Sequence, residues 1–507
     1  MKKIFNIISL ALVMIAIASC DSGFEELNTS KTASSSLDPS LILNNAIINS
    51  SPDDSQLNFE LAIVQQLTSP NTGVLEGGNF NKNNPNSSIG NWRDYYRNVV
   101  RYTSDVIART SEDAALSNLT NKARIIQANA FMIITDTYGD IPYAEGGKGY
   151  IDQNFFPAYQ DQQVVYEGIL SELKSATDAL DAGKASNTDV LFNGDIAKWK
   201  KFGYSLLLRA GMHLSEVDPA TAESTVAAAF AGGVILDNAD NAAVRHDGNY
   251  GNLTANVLNA TEAANFYLAE PFVDALQSND DPRLPAIAIR YVGATSGSGQ
   301  LPAVGTTDPA NQYGLPMGST DGEADLSGAT LPGGGTRYAY SQLDRRRMAK
   351  PTSPLFIVTA AQNNLLLAEA RLNGWITTGT VEEYFTNGIK AHMDQLVDFD
   401  PASAVDAGDR DTYVASRVPL LAGNELEQIN YEYWIASFLN GQEAWANFRR
   451  SGYPELDVNP FAGRTVDWIT RLPYPPSEYV VNNDNVAAAV AGQGPDNLDT
   501  KVWWDVD

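Results

Sequence analysis

An apolar run from Ile125 to Ile134 passes straight into Thr135-Asp136-Thr137-Tyr138-Gly139 and then Asp140-Ile141-Pro142-Tyr143. No other stretch restricts the fold as tightly. The run reads as a helix that must stop at Gly139, because glycine enters the left-handed backbone region freely and Pro142 cannot continue a helix. Tyr138 and Tyr143 flank the corner and can bolt it onto neighbouring helices. The stretch carries no nucleophile–base pair and no metal-ligand spacing. It predicts a rigid helix-to-loop corner inside a mostly α-helical protein.

Helical periodicity continues on both sides of this corner. Segments 41–48, 56–67, 92–107 and 120–138 are predicted helices, with an Asn- and Gly-rich loop over 71–90. In 92–107 the residues Trp92, Tyr95, Tyr96, Val99, Tyr102 and Val106 fall at i, i+3, i+4 spacing, which marks a core-facing stripe. Segment 161–181 is amphipathic through Val165, Ile169, Leu173 and Leu180. Asn193-Gly194-Asp195 caps a helix over 196–214, Asp218-Pro219 stops it, and another follows over 221–231. Residues 233–350 change character: Gly, Asn, Asp, Thr and Pro dominate, with a helical island at 263–277. A stretch this long is more than a connection, and ordered loops of such length usually carry function. Regular helices resume over 354–372, 381–396 and 428–439.

Composition narrows the function. Acidic residues outnumber basic ones 61 to 34, a net charge of −27, which argues against nucleic acid or an anionic surface as a partner. The single cysteine, Cys20, rules out an intramolecular disulfide, and the scattered His213, His246 and His392 argue against a structural zinc site. Loops rich in Tyr, Asn and Gly suit neutral polar ligands.

Residues 1–19 read as a signal peptide: Lys2 and Lys3, an apolar core from Ile4 to Ile17, then Ala18-Ser19. The core is short for a membrane span. Ile17-Ala18-Ser19-Cys20 resembles a bacterial lipobox, so cleavage would leave Cys20 as the lipid attachment site, and two or more acyl chains anchor stably. Residues 20–40 then form a lipidated tether, with Asp21, Glu25 and Glu26 close to the lipid. The remainder, 41–507, is expected to be one domain: helical over 41–232, irregular over 233–350, helical again over 351–507.

The 131–145 corner closely resembles the TDxYGDIPY motif of the SusD/RagB family of outer-membrane nutrient-binding lipoproteins. Further motifs follow in the family's order. Cys20, Phe24, Leu27 and Asn28 resemble its opening. Gly194, Asp195, Lys198, Trp199, Phe202, Ser205, Leu206, Leu208 and Arg209 resemble its GDxxKWxxFxxSLxLR pattern. Arg471-Leu472-Pro473-Tyr474-Pro475, Glu478, Asn482 and Trp503-Trp504-Asp505 resemble the ending of its SusD-like branch. The resemblance implies a mostly α, SusD-like fold of tetratricopeptide-like helix pairs plus a large irregular ligand-binding region. It implies a surface-exposed outer-membrane lipoprotein that captures a nutrient, most commonly an oligosaccharide, and delivers it to a SusC-like TonB-dependent transporter as its lid. No cofactor, metal or catalytic residue is expected. A peptide-binding member of the same family is an alternative.

An extracellular, lipid-anchored glycan hydrolase is the rival reading. Its acids would come from Asp280 and Asp281 or from Asp321, Glu323 and Asp325, a run that could also hold calcium but reads better as a solvated turn. Glu443, Arg449 and Arg450 beside Trp445 read as a buried ion-pair hub, since arginine is too basic for ordinary proton transfer. For saccharide binding, aromatic faces and convergent polar groups are needed on loops where helix packing does not consume them. The candidates are Tyr250, Tyr313, Tyr338 and Tyr340, with Phe80, Asn81 and Trp92 from the earlier loop, and Asn249, Arg290 and Arg337 as polar partners.

Overall fold

The computed structural model describes residues 37–51, 54–260, 262–322 and 331–506. Cys20, the leader, most of the tether, Glu323 and Asp325 lie outside the described residues.

The architecture is mostly α. Long helices pack in succession: Ser117–Tyr138 on Gln162–Ala179, that helix on Ile196–His213, and Ile196–His213 on Pro219–Gly232. Later in the chain Ala360–Leu372 packs on Val381–Gln395 and on Glu425–Ala436. Each start has a local cause. Asp195 accepts from the Ala197 and Lys198 amides, and Asp218 caps Pro219–Gly232 with proline at its first turn. Thus Asp218-Pro219 begins the next helix rather than ending the previous one. Thr359 with Gln362 and Thr380 with Glu383 form capping boxes.

Close approach depends on small residues. A Cβ on Gly388 would collide with Leu365, and one on Gly203 with Thr177. Alanines 361, 368 and 370 are fully buried in the first helix of the 360–395 pair.

Four expected helices differ. The 56–67 segment breaks into a 3-10 turn at Asp54–Leu57, a short helix at Glu60–Ile63 and a strand at Leu67–Thr68. That strand pairs antiparallel with Tyr267–Leu268, which in turn delays the 263–277 helix to Glu270–Ser278, with Pro271 in its first turn. In 354–372, Leu355–Val358 is a strand paired with Ala242–Val244, and the helix starts only at Ala360. All four residues of Leu355–Val358 are buried, so apolar periodicity could not separate strand from helix there. The 92–107 helix runs as Gly90–Tyr95 and Arg101–Thr110 joined by a π-turn at Tyr96–Val100.

The Gly139 corner forms as expected. Gly139 has φ +80°, and its amide donates to the Thr135 carbonyl at 2.8 Å. The Leu472 amide donates to Thr137 O at 2.9 Å, and Arg471 reaches the Tyr138 carbonyl, so the C-terminal segment clasps the corner.

Candidate functional site

The irregular region is built on a three-stranded antiparallel sheet, Gly305–Thr306 against Ala288–Tyr291 against Gln342–Leu343. Arg290 sits in its central strand, fully buried. Its guanidinium donates to the carbonyls of Ala339 at 2.7 Å, Pro332 at 2.7 Å and Asn311 at 3.3 Å. One side chain thereby ties Asn311 to the 332–339 stretch, and burial lowers its pKa without threatening its charge. Arg290 is a clamp beneath the surface, with its guanidinium carbon 4.8 Å from the centre of the Tyr313 ring.

Tyr313 and Tyr338 lie on the stretches this clamp holds, both half-buried and in separate clusters, Tyr313 beside Tyr267, Leu315, Leu331, Ala339 and Tyr340. The Tyr313 amide donates to Ser341 Oγ at 2.8 Å, and Ser341 Oγ donates to Gln312 Oε1 at 2.9 Å. Tyr338 packs on Ile289, Tyr291 and Ala294. Arg337 lies 4.8 Å from the Tyr338 ring centre, donates to its hydroxyl at 3.0 Å, and pairs with Asp321. Tyr340 is buried with Tyr267, Leu315, Leu331 and Ala339, so its ring stiffens the platform rather than facing solvent.

The other candidates lie elsewhere. Phe80 has no exposed surface; its ring packs on Phe461 with centroids 4.5 Å apart. The Asn81 amide is buried and donates to the Asp467 carbonyl at 2.6 Å. Trp92 is buried in an aromatic cluster with Tyr96, Tyr138, Tyr159 and Tyr474. Tyr250 and the exposed Asn249 belong to a separate loop, where the Tyr250 ring stacks on His246. The structure thus brings together Tyr313, Tyr338, Tyr340, Arg290 and Arg337, and separates them from the rest.

Of the acids of the hydrolase reading, Asp281, Asp321 and Glu443 are in ion pairs, and Asp280 is exposed. Asp281 is fully sequestered with Arg283, which also pairs with Glu432 at 2.7 Å. Glu443 pairs with Arg209 at 3.0 Å, lies 3.6 Å from His213 and accepts from the Tyr433 hydroxyl at 2.6 Å. Burial alone would raise its pKa, but Arg209 and His213 hold it below the ordinary value. Arg450 forks onto Glu369 at 2.5 and 2.8 Å. Arg449 lies over Trp445 and Trp504 and donates to the carbonyls of Asp136 and Thr470. The hub expected at 443–450 is therefore a buried network that joins the corner, the C-terminus and the helices. No group of His, Cys, Asp or Glu among the described residues could hold a metal ion, and no described helix is long and apolar enough to cross a membrane.

Sequence reasoning missed a groove of about 1210 Å³ between the Glu270–Ser278 helix, the 307–310 loop and the 402–417 segment. Its walls come from stretches far apart in the chain, and no local pattern announces such a surface. It missed Asp321 as the partner of Arg337 for the same reason.

The family described as "Starch-binding associating with outer membrane", SusD-like, matches residues 30–475. A solved chitin-binding protein is 30% identical, with 93% of this chain and all of the other covered at a TM-score of 0.81. A solved Bacteroidetes SusD-like protein is 27% identical, with the same coverage and a TM-score of 0.82. A chitin-binding SusD homologue from Flavobacterium johnsoniae, at 24% identity and TM-score 0.75 over 92% of this chain and 98% of its own, has the same fold. No curated protein matches. A family match over most of the length, joined to that full-length likeness at 30% identity, identifies the chain as a member of the SusD-like family.

Proposed function

We propose that this protein is a non-catalytic surface lipoprotein that captures an oligosaccharide and passes it to a SusC-like TonB-dependent transporter. The observation that carries the reading is the full-length likeness to a chitin-binding protein. It is supported by a platform of the right chemistry. Tyr313 and Tyr338 are half-exposed on loops held by Arg290, and Arg337 and Asp321 supply a donor and an acceptor beside the Tyr338 ring. Rings present C–H-binding faces and the ion pair presents hydrogen-bonding atoms, which is how a neutral sugar is held. Asn249 and Tyr250 are a second, separate candidate surface.

Exposed Tyr150, Phe155, Phe156, Val480 and Val481 suit a protein partner, and Asn485 ties the two segments by donating to the Phe156 carbonyl at 3.1 Å. Cys20 is the proposed lipid attachment site, with the body facing outward.

Isothermal calorimetry of the mature chain against chitin and starch oligosaccharides tests the proposal. Saturable binding to one series without release of shorter products is the expected result. Hydrolysis, or no heat with either series and a positive signal with peptides, would overturn it.

A further inference from the structure

Away from the Tyr313–Tyr338 platform, a partly enclosed cavity of about 230 Å³ opens beyond the end of the Pro39–Ile48 helix. Its polar walls are Asn49, Arg93, Asp94, Asn98, His246 and Tyr250, and Leu253 and Leu355 make it apolar on one side. At roughly 30 Å³ per water, the space equals about eight waters, which suits one sugar ring and not a chain.

The chemistry of the walls is specific. Arg93 grips Asp94 through both carboxylate oxygens, at 2.9 and 2.6 Å, so the pair contributes no net charge. That disfavours phosphates and carboxylates. His246 is buried, and its Nδ1 lies 2.8 Å from the Ser353 carbonyl. A carbonyl only accepts, so Nδ1 carries the proton and Nε2 of the neutral ring is an acceptor. Burial lowers the imidazole pKa, which keeps that tautomer at neutral pH. The Tyr250 ring stacks on the imidazole with centroids 5.6 Å apart and 13° between planes, which holds both rings in place. Among the described residues no partner meets the Asn98 amide or the Tyr250 hydroxyl. Mixed donors and acceptors around an aromatic face match vicinal hydroxyls, each of which donates and accepts.

We propose that the His246–Tyr250 cavity binds a single neutral pyranose ring, either as a free monosaccharide or as the terminal unit of a chain. The site is independent of the Tyr313–Tyr338 platform, and the two can fail separately.

The test titrates the mature chain with glucose, galactose and N-acetylglucosamine, and with the linear oligomers of each, by calorimetry and ligand-observed NMR. The parent should bind at least one monosaccharide. Tyr250→Ala should weaken that binding tenfold or more. Asn98→Ala is a half-exposed change that should leave folding intact, and it should weaken binding severalfold. His246→Asn keeps a donor for the Ser353 carbonyl and removes the Nε2 acceptor, so it should weaken binding while the circular dichroism spectrum is unchanged. Tyr338→Ala should leave monosaccharide binding untouched even if oligomer binding falls. An oligomer that competes with the monosaccharide marks the chain end as the source of the ring, and one that does not marks the free sugar. The proposal is overturned if none of the three monosaccharides binds, if Tyr250→Ala and Asn98→Ala both bind like the parent, or if Tyr338→Ala alone abolishes binding.

Discussion

The Tyr474 hydroxyl donates to the Asp140 carbonyl at 2.6 Å across 334 residues of chain. The contact locks a C-terminal motif onto the helix-ending corner, and the corner itself turns on one glycine. Gly139 has φ +80°, and a Cβ there would run into Gln493 Oε1. Gly139→Ala should destabilise the protein by at least about 1 kcal/mol, since alanine at positive φ is strained apart from any clash. Gln493 Oε1 accepts from the Asp140 amide at 3.0 Å, so Gln493→Ala should destabilise the parent by itself, yet cost less in the Gly139→Ala background, where it also relieves the clash. Urea denaturation of both single variants and of the double variant measures it, and equal stability of Gly139→Ala and parent would show that the corner relaxes freely.

Arg450 and Glu369 are both buried, at 1% and 2% side-chain exposure, so neither charge can turn to water when its partner is removed. Arg450→Ala should cost about 3–5 kcal/mol, the usual result of orphaning a buried charge. The double variant Arg450→Met, Glu369→Met should be far less damaging than Arg450→Ala, because no charge remains unpaired. Equilibrium unfolding of both variants decides the point.

The hub is also the place where the fold should respond to alkali. Burial alone would discharge His213, yet Asp136 at 3.3 Å and Glu443 at 3.6 Å outweigh it and raise its pKa from 6.5 to about 9. A raised folded-state pKa stabilises fully below the unfolded value of about 6.5, and the contribution disappears as pH rises through about 9. The shift corresponds to on the order of 3 kcal/mol at 1.36 kcal/mol per pH unit. Denaturation midpoints should therefore fall between pH 7 and pH 10, and His213→Gln should flatten that slope. An imidazole NMR titration with a midpoint near 6.5 in the folded protein would contradict it.

Much of this scaffold is visible in the chain before any coordinates. Asp195 with its cap, the Gly139 stop and the 381–396 helix are local events, decided by residues within a few positions of one another. The Glu443–Arg450 hub was legible because a polar cluster beside Trp445 suits burial only in pairs. Leu355–Val358 and Leu67–Thr68 were not legible, since strands buried on both faces lose the alternation that identifies them. The candidate rings divide on the same principle. Phe80 and Trp92 are consumed by Phe461 and Tyr474, partners more than 380 positions away in each case, and nothing in the 71–92 stretch foretells them. Arg290 looked like a ligand-binding arginine because its three carbonyl partners sit on loops without a motif.

The proposed anchor gives a prediction that does not touch the folded body. Cys20→Ala should abolish incorporation of labelled fatty acid and release the protein from the membrane fraction, while its unfolding midpoint matches that of the unlipidated parent. No disulfide depends on the only cysteine. Fatty acid still incorporated into the variant would show that Ile17–Cys20 is not a lipobox. Protease shaving of intact cells tests the outward orientation separately.

The proposed ligand surface makes the last prediction. Tyr313 and Tyr338 are each half-exposed, and each is fixed by an arginine, Arg290 for Tyr313 and Arg337 for Tyr338. A ring already held in place loses little freedom when a sugar stacks on it, so most of the contact energy is kept. Tyr338→Ala and Tyr313→Ala should each weaken oligosaccharide binding by roughly 1 kcal/mol or more, with unfolding midpoints close to the parent. Arg337→Ala should weaken binding further than loss of one hydrogen bond, because it removes the cation beside the Tyr338 ring and leaves Asp321 without its partner. Arg290→Ala is the contrasting case. It leaves the Ala339, Pro332 and Asn311 carbonyls without their donor and should unfold the platform, which would appear as lost stability as well as lost binding. Calorimetry alongside thermal unfolding separates the two classes. If Tyr313→Ala, Tyr338→Ala and Arg337→Ala all bind the oligosaccharide as the parent does, the chain is captured on another surface, and the Asn249–Tyr250 loop is the next to be tested.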